Sequence, residues 1–190
     1  SINPYPVHES ILHAVRECSL IRYPDSSAFD LREKIAEHEK CSVDEILAVN
    51  GTSQGIHLIG EAFLNEKSTV VNVAPAYSQY KSISQLKKSR IIEIQCNIQN
   101  DFIPDTDDII KTLMQENPTI LWICNPNNPT GTYLNKFDMI KIEKAAAISN
   151  TIVVIDEAYV AFTNKELCYR EKSGNILRLN SMSIWLMNGF

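Results

Sequence analysis

The chain has 190 residues, 44% of them hydrophobic and 22% charged, with a net charge of −5. That is an ordinary composition for one layered globular unit with a sizeable core. The acidic balance offers no basic face to nucleic acid or anionic lipid, Lys87-Lys88-Ser89-Arg90 reading as a solvated helix end, and no apolar run approaches the ~18 residues of a membrane span.

In chain order, helical spacing of apolar residues opens at 8–18 and resumes at 28–39, separated by the turn-forming Arg22-Tyr23-Pro24-Asp25-Ser26-Ser27. From there short β-rich runs alternate with longer amphipathic ones. Strands are expected at 45–49, 69–73, 91–95, 120–124, 151–155 and 175–179, and helices at 53–64, 77–86, 106–115 and 135–149. The alternation points to an α/β fold, a mostly parallel sheet flanked by helices. No repeat, low-complexity tract or long linker interrupts it.

Cys18, Cys41, Cys96, Cys124 and Cys168 are scattered, without Cys-x-x-Cys spacing or partner histidines, so they read as reduced, mostly buried thiols and not as a metal site. His8, His13, His38 and His57 form no metal pair either. No basic stretch followed by an apolar one opens the chain, and a cytoplasmic location is expected.

In parallel sheets ligands sit outside the carboxyl ends of the strands, so the junctions after each strand carry the chemistry. Asn50-Gly51-Thr52-Ser53-Gln54-Gly55 could cradle a phosphate on free backbone N–H groups and two hydroxyls, although alone it reads as a glycine turn with a hydroxyl N-cap. Tyr77 follows the second expected strand and could stack on a flat heteroaromatic ligand; a core tyrosine opening a helix is the simpler alternative. Asn125-Pro126-Asn127-Asn128-Pro129-Thr130-Gly131 is more specific, because two prolines forbid both helix and strand while three amides remain at the sheet edge. The last of the four, Thr151-Ile152-Val153-Val154-Ile155-Asp156-Glu157-Ala158-Tyr159, is an apolar strand that delivers a carboxylate. It would also suit the magnesium strand of an NTPase, but the Gly-x-x-x-x-Gly-Lys-Ser/Thr loop that chemistry needs is missing.

With Asn3-Pro4-Tyr5 and Arg22-Tyr23-Pro24-Asp25, these ordered junctions resemble the class I/II aminotransferases of the fold-type-I pyridoxal-phosphate family. The likeness is nearest to histidinol-phosphate aminotransferases and threonine-phosphate decarboxylases. The resemblance implies an N-terminal arm and first helix over 1–27, and part of a large cofactor-binding domain over 28–190. It implies pyridoxal 5′-phosphate as cofactor, held at its phosphate by Gly51, Thr52 and Ser53, with Ser183 also a cofactor contact. Tyr77 would stack on the pyridine ring, while Asn128 and Tyr159 would hydrogen-bond its phenolic oxygen. Asp156 would pair with the ring nitrogen and keep it protonated. In a homodimer Tyr23 would reach the neighbouring subunit's cofactor phosphate, and Tyr5 would lie near the substrate, an amino acid or amino-phosphate.

The likeness breaks after Ser181-Met182-Ser183, where Ile184 occupies the place of the Schiff-base lysine. The family's arginine and small C-terminal domain are not matched either, so a chain truncated or frame-shifted near 184, with little or no turnover, is expected. Within the family, transamination and decarboxylation remain alternatives, as does a non-catalytic chain that only binds cofactor.

Overall fold

The computed structural model describes residues 6–19, 21, 23–163 and 173–182, and the statements below concern these. The order of elements is α1 (Glu9–Glu17), α2 (Phe29–Glu39), α3 (Gly51–Phe63), β1 (Thr69–Ala74), α4 (Ser78–Leu86), β2 (Arg90–Gln95), α5 (Thr106–Glu116), β3 (Ile120–Cys124), α6 (Lys136–Ile148), β4 (Ile152–Asp156) and β5 (Ile176–Leu179). The five strands are parallel and ordered β2-β1-β3-β4-β5. The expected α/β architecture is therefore observed.

Side-chain alternation along the strands divides the core in two. Val71, Leu121, Ile123, Val153 and Ile155 face one way, against Ile109 and Leu113 of α5 and Met139 and Ile142 of α6. Val70, Ile120, Trp122 and Val154 face the other way, against Ile56 of α3 and Tyr80 and Ile83 of α4. All five residues of β3 are buried, the burial of a strand covered on both faces. Each such Ile or Leu removed from water contributes about 1.5–3 kcal/mol. Asn72 Oδ1 and Trp122 Nε1, on registering residues of β1 and β3, are buried side-chain atoms without a hydrogen-bond partner among the described residues.

Side-chain capping opens three of the six described helices, α1, α5 and α6. Asp105 accepts from the backbone N–H groups of Asp107 and Asp108, and Asn135 from those of Phe137 and Asp138, satisfying donors that have no partner within the helix. Helix α3 meets α4 at Gly60, where an added Cβ would stand 2.2 Å from Ile83 Cγ1, so only glycine permits this approach.

The expected strand at 45–49 does not form. Ser42 and Glu45 make a reciprocal capping box around a short 3₁₀ turn at Val43–Glu45. Arg32 then donates from Nε to the Ile46 carbonyl and from Nη2 to the Val43 carbonyl, both at 2.8 Å, so a side chain takes carbonyls that a ladder would have used. The basic cluster is neutralised locally: Lys87 pairs with Glu61 and Arg90 with Glu116, both at 2.6 Å. Cys96 and Cys124 are buried, but Cys18 is exposed and Cys41 half-buried; Cys168 lies outside the described residues. Among the described residues, no helix is long and apolar enough to cross a membrane.

Candidate functional site

The strand order reverses direction at β1, with β2 on one side and β3, β4 and β5 on the other. The crevice at the carboxyl ends of strands at such a switch point is where parallel sheets hold ligands. The residues following β1, β3 and β4 converge there.

Asp156 is the last residue of β4, 3% exposed and in register with Cys124 at the end of β3. Two donors hold its carboxylate: the Tyr80 hydroxyl reaches Oδ2 at 2.7 Å and the Ala158 backbone N–H reaches Oδ1 at 3.0 Å. Burial pushes the carboxyl above its usual range, while the bonds from Tyr80 and Ala158 act against that rise. Burial, and then the neighbouring Asp156, push the Tyr80 phenol far upward, so it stays protonated and donates. For the same reasons, in the same order, the Cys124 thiol is raised to about 11 and remains neutral.

Tyr80 was not among the residues singled out from the sequence. It lies one helical turn after Tyr77, so both point from the same face of α4. The Tyr80 ring stacks flat on Trp122, with centroids 5.1 Å apart and planes 7° apart, and meets Tyr77 edge-on at 5.8 Å. Tyr77, the N-cap residue of α4, brings its hydroxyl within 3.5 Å of Ser53 Oγ in the first turn of α3. Ser53, Tyr77, Tyr80 and Asp156 thus form one connected row.

The start of α3 is a helix N-terminus without a side-chain cap. Gly51 adopts a φ of +76° with nothing within 4 Å of an added Cβ, so glycine serves the left-handed backbone and not a lack of room. The Asn50 side chain makes no cap, and Gln54 Oε1 accepts from the Asn50 N–H at 2.6 Å. The N–H groups of Thr52 and Ser53 stand at the positive end of the helix dipole without a side-chain cap, whereas that of Gly51 donates to the Val49 carbonyl at 2.9 Å. No strand precedes this turn, contrary to expectation, and the 3₁₀ turn with residues 46–49 delivers it instead.

In the loop after β3, the asparagines divide their work. Asn125 donates to the Leu134 carbonyl at 2.9 Å and accepts from the Leu134 N–H at 2.8 Å. Asn127 Nδ2 donates to the Pro75 carbonyl at 2.8 Å, tying this loop to the segment before Tyr77. The side chain of the half-buried Asn128 enters no hydrogen bond among the described residues. Tyr159, three residues past Asp156, is half-buried with its ring 6.5 Å from that of Phe162. Behind the strand ends, Arg178 Nη1 donates to Glu157 Oε1 at 3.0 Å, a nearly buried ion pair that the sequence reading also missed.

Tyr23 is fully exposed and does not join the row. Tyr5, Ser183 and Ile184 lie outside the described residues. No cluster of three or more His, Cys, Asp or Glu side chains suited to a metal occurs among the described residues.

Pyridoxal phosphate asks for an anion cradle, an aromatic face and a carboxylate for its ring nitrogen. The uncapped turn at Gly51-Thr52-Ser53, the Tyr77 ring and the buried Asp156 carboxylate supply those three kinds of group on neighbouring elements, so the residues present fit the cofactor.

Comparison with known proteins agrees with this geometry. Residues 3–184 match the family model for aminotransferase class I and II. Histidinol-phosphate aminotransferase 1 of Bacillus cereus is 34% identical over 166 residues, covering 85% of this chain and 44% of that protein. The histidinol-phosphate aminotransferase of Sinorhizobium meliloti, solved in complex with pyridoxal-5′-phosphate, superposes with a TM-score of 0.84 at 20% identity, covering 93% of this chain and 49% of the other. The L-threonine-O-3-phosphate decarboxylase of Porphyromonas gingivalis gives a TM-score of 0.75 at 23% identity, covering 92% and 53%. The chain spans about half the length of the curated relatives it matches.

Proposed function

The chain belongs to the class I and II aminotransferase family, and from that premise we propose that it supplies the cofactor-binding part of a pyridoxal-phosphate-dependent aminotransferase. The observation that carries this reading is the buried Asp156 carboxylate at the end of β4, joined through Tyr80 and Tyr77 to Ser53 at the start of α3.

In this reading Gly51, Thr52 and Ser53 bind the cofactor phosphate, Tyr77 stacks on the ring, and Asn128 and Tyr159 hydrogen-bond the phenolic oxygen. Asp156 holds a proton on the ring nitrogen. The resulting ion pair keeps Asp156 ionised against the burial that would otherwise favour its neutral form. When bound, the cofactor supplies an electron sink for the pair left when a bond to the substrate α-carbon breaks. The strand ends around Asp156 exclude water from this pair, which strengthens it.

Relatives 34% identical that act as histidinol-phosphate aminotransferases support an amino-phosphate or amino-acid substrate, whereas the likeness to the decarboxylase shows the fold alone. Helix α1 buries none of its residues and Tyr23 is fully exposed, which supports a homodimer in which Tyr23 serves the neighbouring site. Tyr5 is placed near the substrate and Ser183 among the cofactor contacts. Residues 1–27 act as the arm and first helix and 28–190 as part of the large cofactor-binding domain, in a cytoplasmic protein. Ile184, standing where the family's lysine is expected, can neither accept nor deliver a proton, so this 190-residue chain binds cofactor with little or no turnover.

Titration with pyridoxal 5′-phosphate, followed by absorbance, then by borohydride reduction and mass analysis, tests the reading. Saturable binding that Asp156→Ala abolishes, with no stoichiometric adduct on a lysine, is expected. Absence of saturable binding sinks the cofactor reading; a stoichiometric lysine adduct or steady amino-group transfer overturns the assignment of Ile184.

A further inference from the structure

Tyr80 is assigned no contact with the cofactor, yet it touches two of the residues that are, Asp156 and Tyr77. We propose that Tyr80 is a positioning residue for Asp156: its buried hydroxyl orients the carboxylate toward the ring nitrogen of pyridoxal phosphate. The proposal rests on the cofactor reading and deepens it.

A carboxylate has about four acceptor directions on its two oxygens, and its terminal torsion is broad when nothing holds it. In Asp156 the Ala158 N–H occupies one direction on Oδ1 and the Tyr80 hydroxyl one on Oδ2. Two donors on different oxygens fix the carboxylate plane and leave the remaining directions for a ligand. The Ala158 bond is local in sequence, whereas Tyr80 reaches across 76 positions from another element. Only the second contact ties the carboxylate to the rest of the site.

Tyr80 is itself held firmly. It is 1% exposed, stacked on Trp122, and packed edge-on against Tyr77. One turn further along α4, Ser84 Oγ donates to the Tyr80 carbonyl at 2.7 Å, and Ile83 locks the helix against Gly60. A single turn of α4 thus sets both the aromatic face offered by Tyr77 and the direction of the Asp156 carboxylate. The phenol stays protonated, so it contributes a donor without a second negative charge.

The test compares pyridoxal 5′-phosphate with its analogue in which the ring nitrogen is replaced by CH, titrated against the unsubstituted chain, Tyr80→Phe and Asp156→Asn. Tyr80→Phe keeps the stack on Trp122 and removes only the hydroxyl. It is expected to bind pyridoxal phosphate about ten- to a hundredfold more weakly, the size of a lost charge-assisted bond, and to bind the analogue within about twofold of the unsubstituted chain. The deficit should widen as pH falls, because burial then acts on Asp156 with only Ala158 opposing it. Equal weakening toward both ligands would make Tyr80 merely structural, and no weakening would remove its role.

A fluorotyrosine at position 80 keeps ring and hydroxyl while making the hydroxyl a stronger donor. It should change the affinity for pyridoxal phosphate and leave that for the analogue in place; unchanged affinity for both counts against the proposal even if Tyr80→Phe fails to fold. If the unsubstituted chain shows no preference for the ring nitrogen, the cofactor reading falls and this proposal with it. If Asp156→Asn erases the preference and Tyr80→Phe does not, only the proposal falls.

Discussion

Substituting Gly60 by alanine probes how tightly the two site-bearing helices are locked together. A Cβ at this position would stand 2.2 Å from Cγ1 and 3.0 Å from Cδ1 of Ile83, a side chain with 0% exposure and no room to move outward. Carbon atoms settle about 3.5–4.0 Å apart, so α3 and α4 must separate by more than about 1 Å or Ile83 must leave its rotamer. Overpacking costs about 1–3 kcal/mol, and an approach this close in the core stands in the upper part of that range, at about 2–3 kcal/mol, of which the better helix propensity of alanine returns about 0.8–1.0 kcal/mol. A net loss of about 1–2 kcal/mol is expected for Gly60→Ala in urea unfolding. Ile83→Ala removes both obstructing atoms, so in that background Gly60→Ala should be neutral or stabilising, giving a coupling above about 1 kcal/mol. Ser53 and Tyr77 stand 3.5 Å apart at the starts of these same helices, so cofactor affinity should fall together with stability. A Gly60→Ala chain as stable as the original, or strict additivity with Ile83→Ala, would show that Gly60 and Ile83 do not lock the two helices together.

Further expectations concern the strand ends and the opposite face. Burial raises Asp156 above the ordinary carboxylate range, so in the cofactor-free chain its stabilising contribution is fully present below that range and is lost as pH rises through the folded value. Asp156→Asn should therefore gain in thermal stability relative to the unsubstituted chain between acid and neutral pH, and the opposite slope would contradict the assignment. Arg178→Met takes a cation from Glu157, whose side chain is 4% exposed; a loss of about 2–3 kcal/mol is expected, below the figure for a fully buried pair because Arg178 is itself 20% exposed. Most of that loss should return in Glu157→Gln/Arg178→Met, measured by denaturant unfolding. Leu113→Ala, in the core on the α5–α6 face, should cost about 2–5 kcal/mol while leaving the affinity for pyridoxal phosphate near its original value where the chain remains folded.

Much of the site was legible because chemistry and backbone constraint coincide in its motifs. An apolar strand ending in Asp156 can only deliver a carboxylate to the carboxyl edge of the sheet, and that is where β4 leaves it. Prolines 126 and 129 rule out helix and strand, so the loop after β3 was readable, although sequence could not say that the Asn125 and Asn127 side chains build the loop while that of Asn128 enters no hydrogen bond among the described residues. Tyr80 escaped notice because a tyrosine one turn into an amphipathic helix reads as core, which it also is; only the partner 76 residues away distinguishes it. The segment 45–49 was misread because its apolar pattern suits a strand, while the competing donor, Arg32, comes from a helix whose register no local pattern reveals. Likewise the Glu157–Arg178 pair joins neighbouring strands that sequence alone does not place side by side.

In the proposed site Asp156 holds the ring nitrogen of pyridoxal phosphate in its protonated form. Nitrogen-15 NMR of ring-labelled cofactor bound to the chain tests it directly, near neutral pH, against Asp156→Asn. A pyridinium shift is expected in the unsubstituted chain, reverting toward the neutral pyridine value in the variant. A neutral ring nitrogen in the unsubstituted chain, or a pyridinium shift that persists in Asp156→Asn, would contradict it.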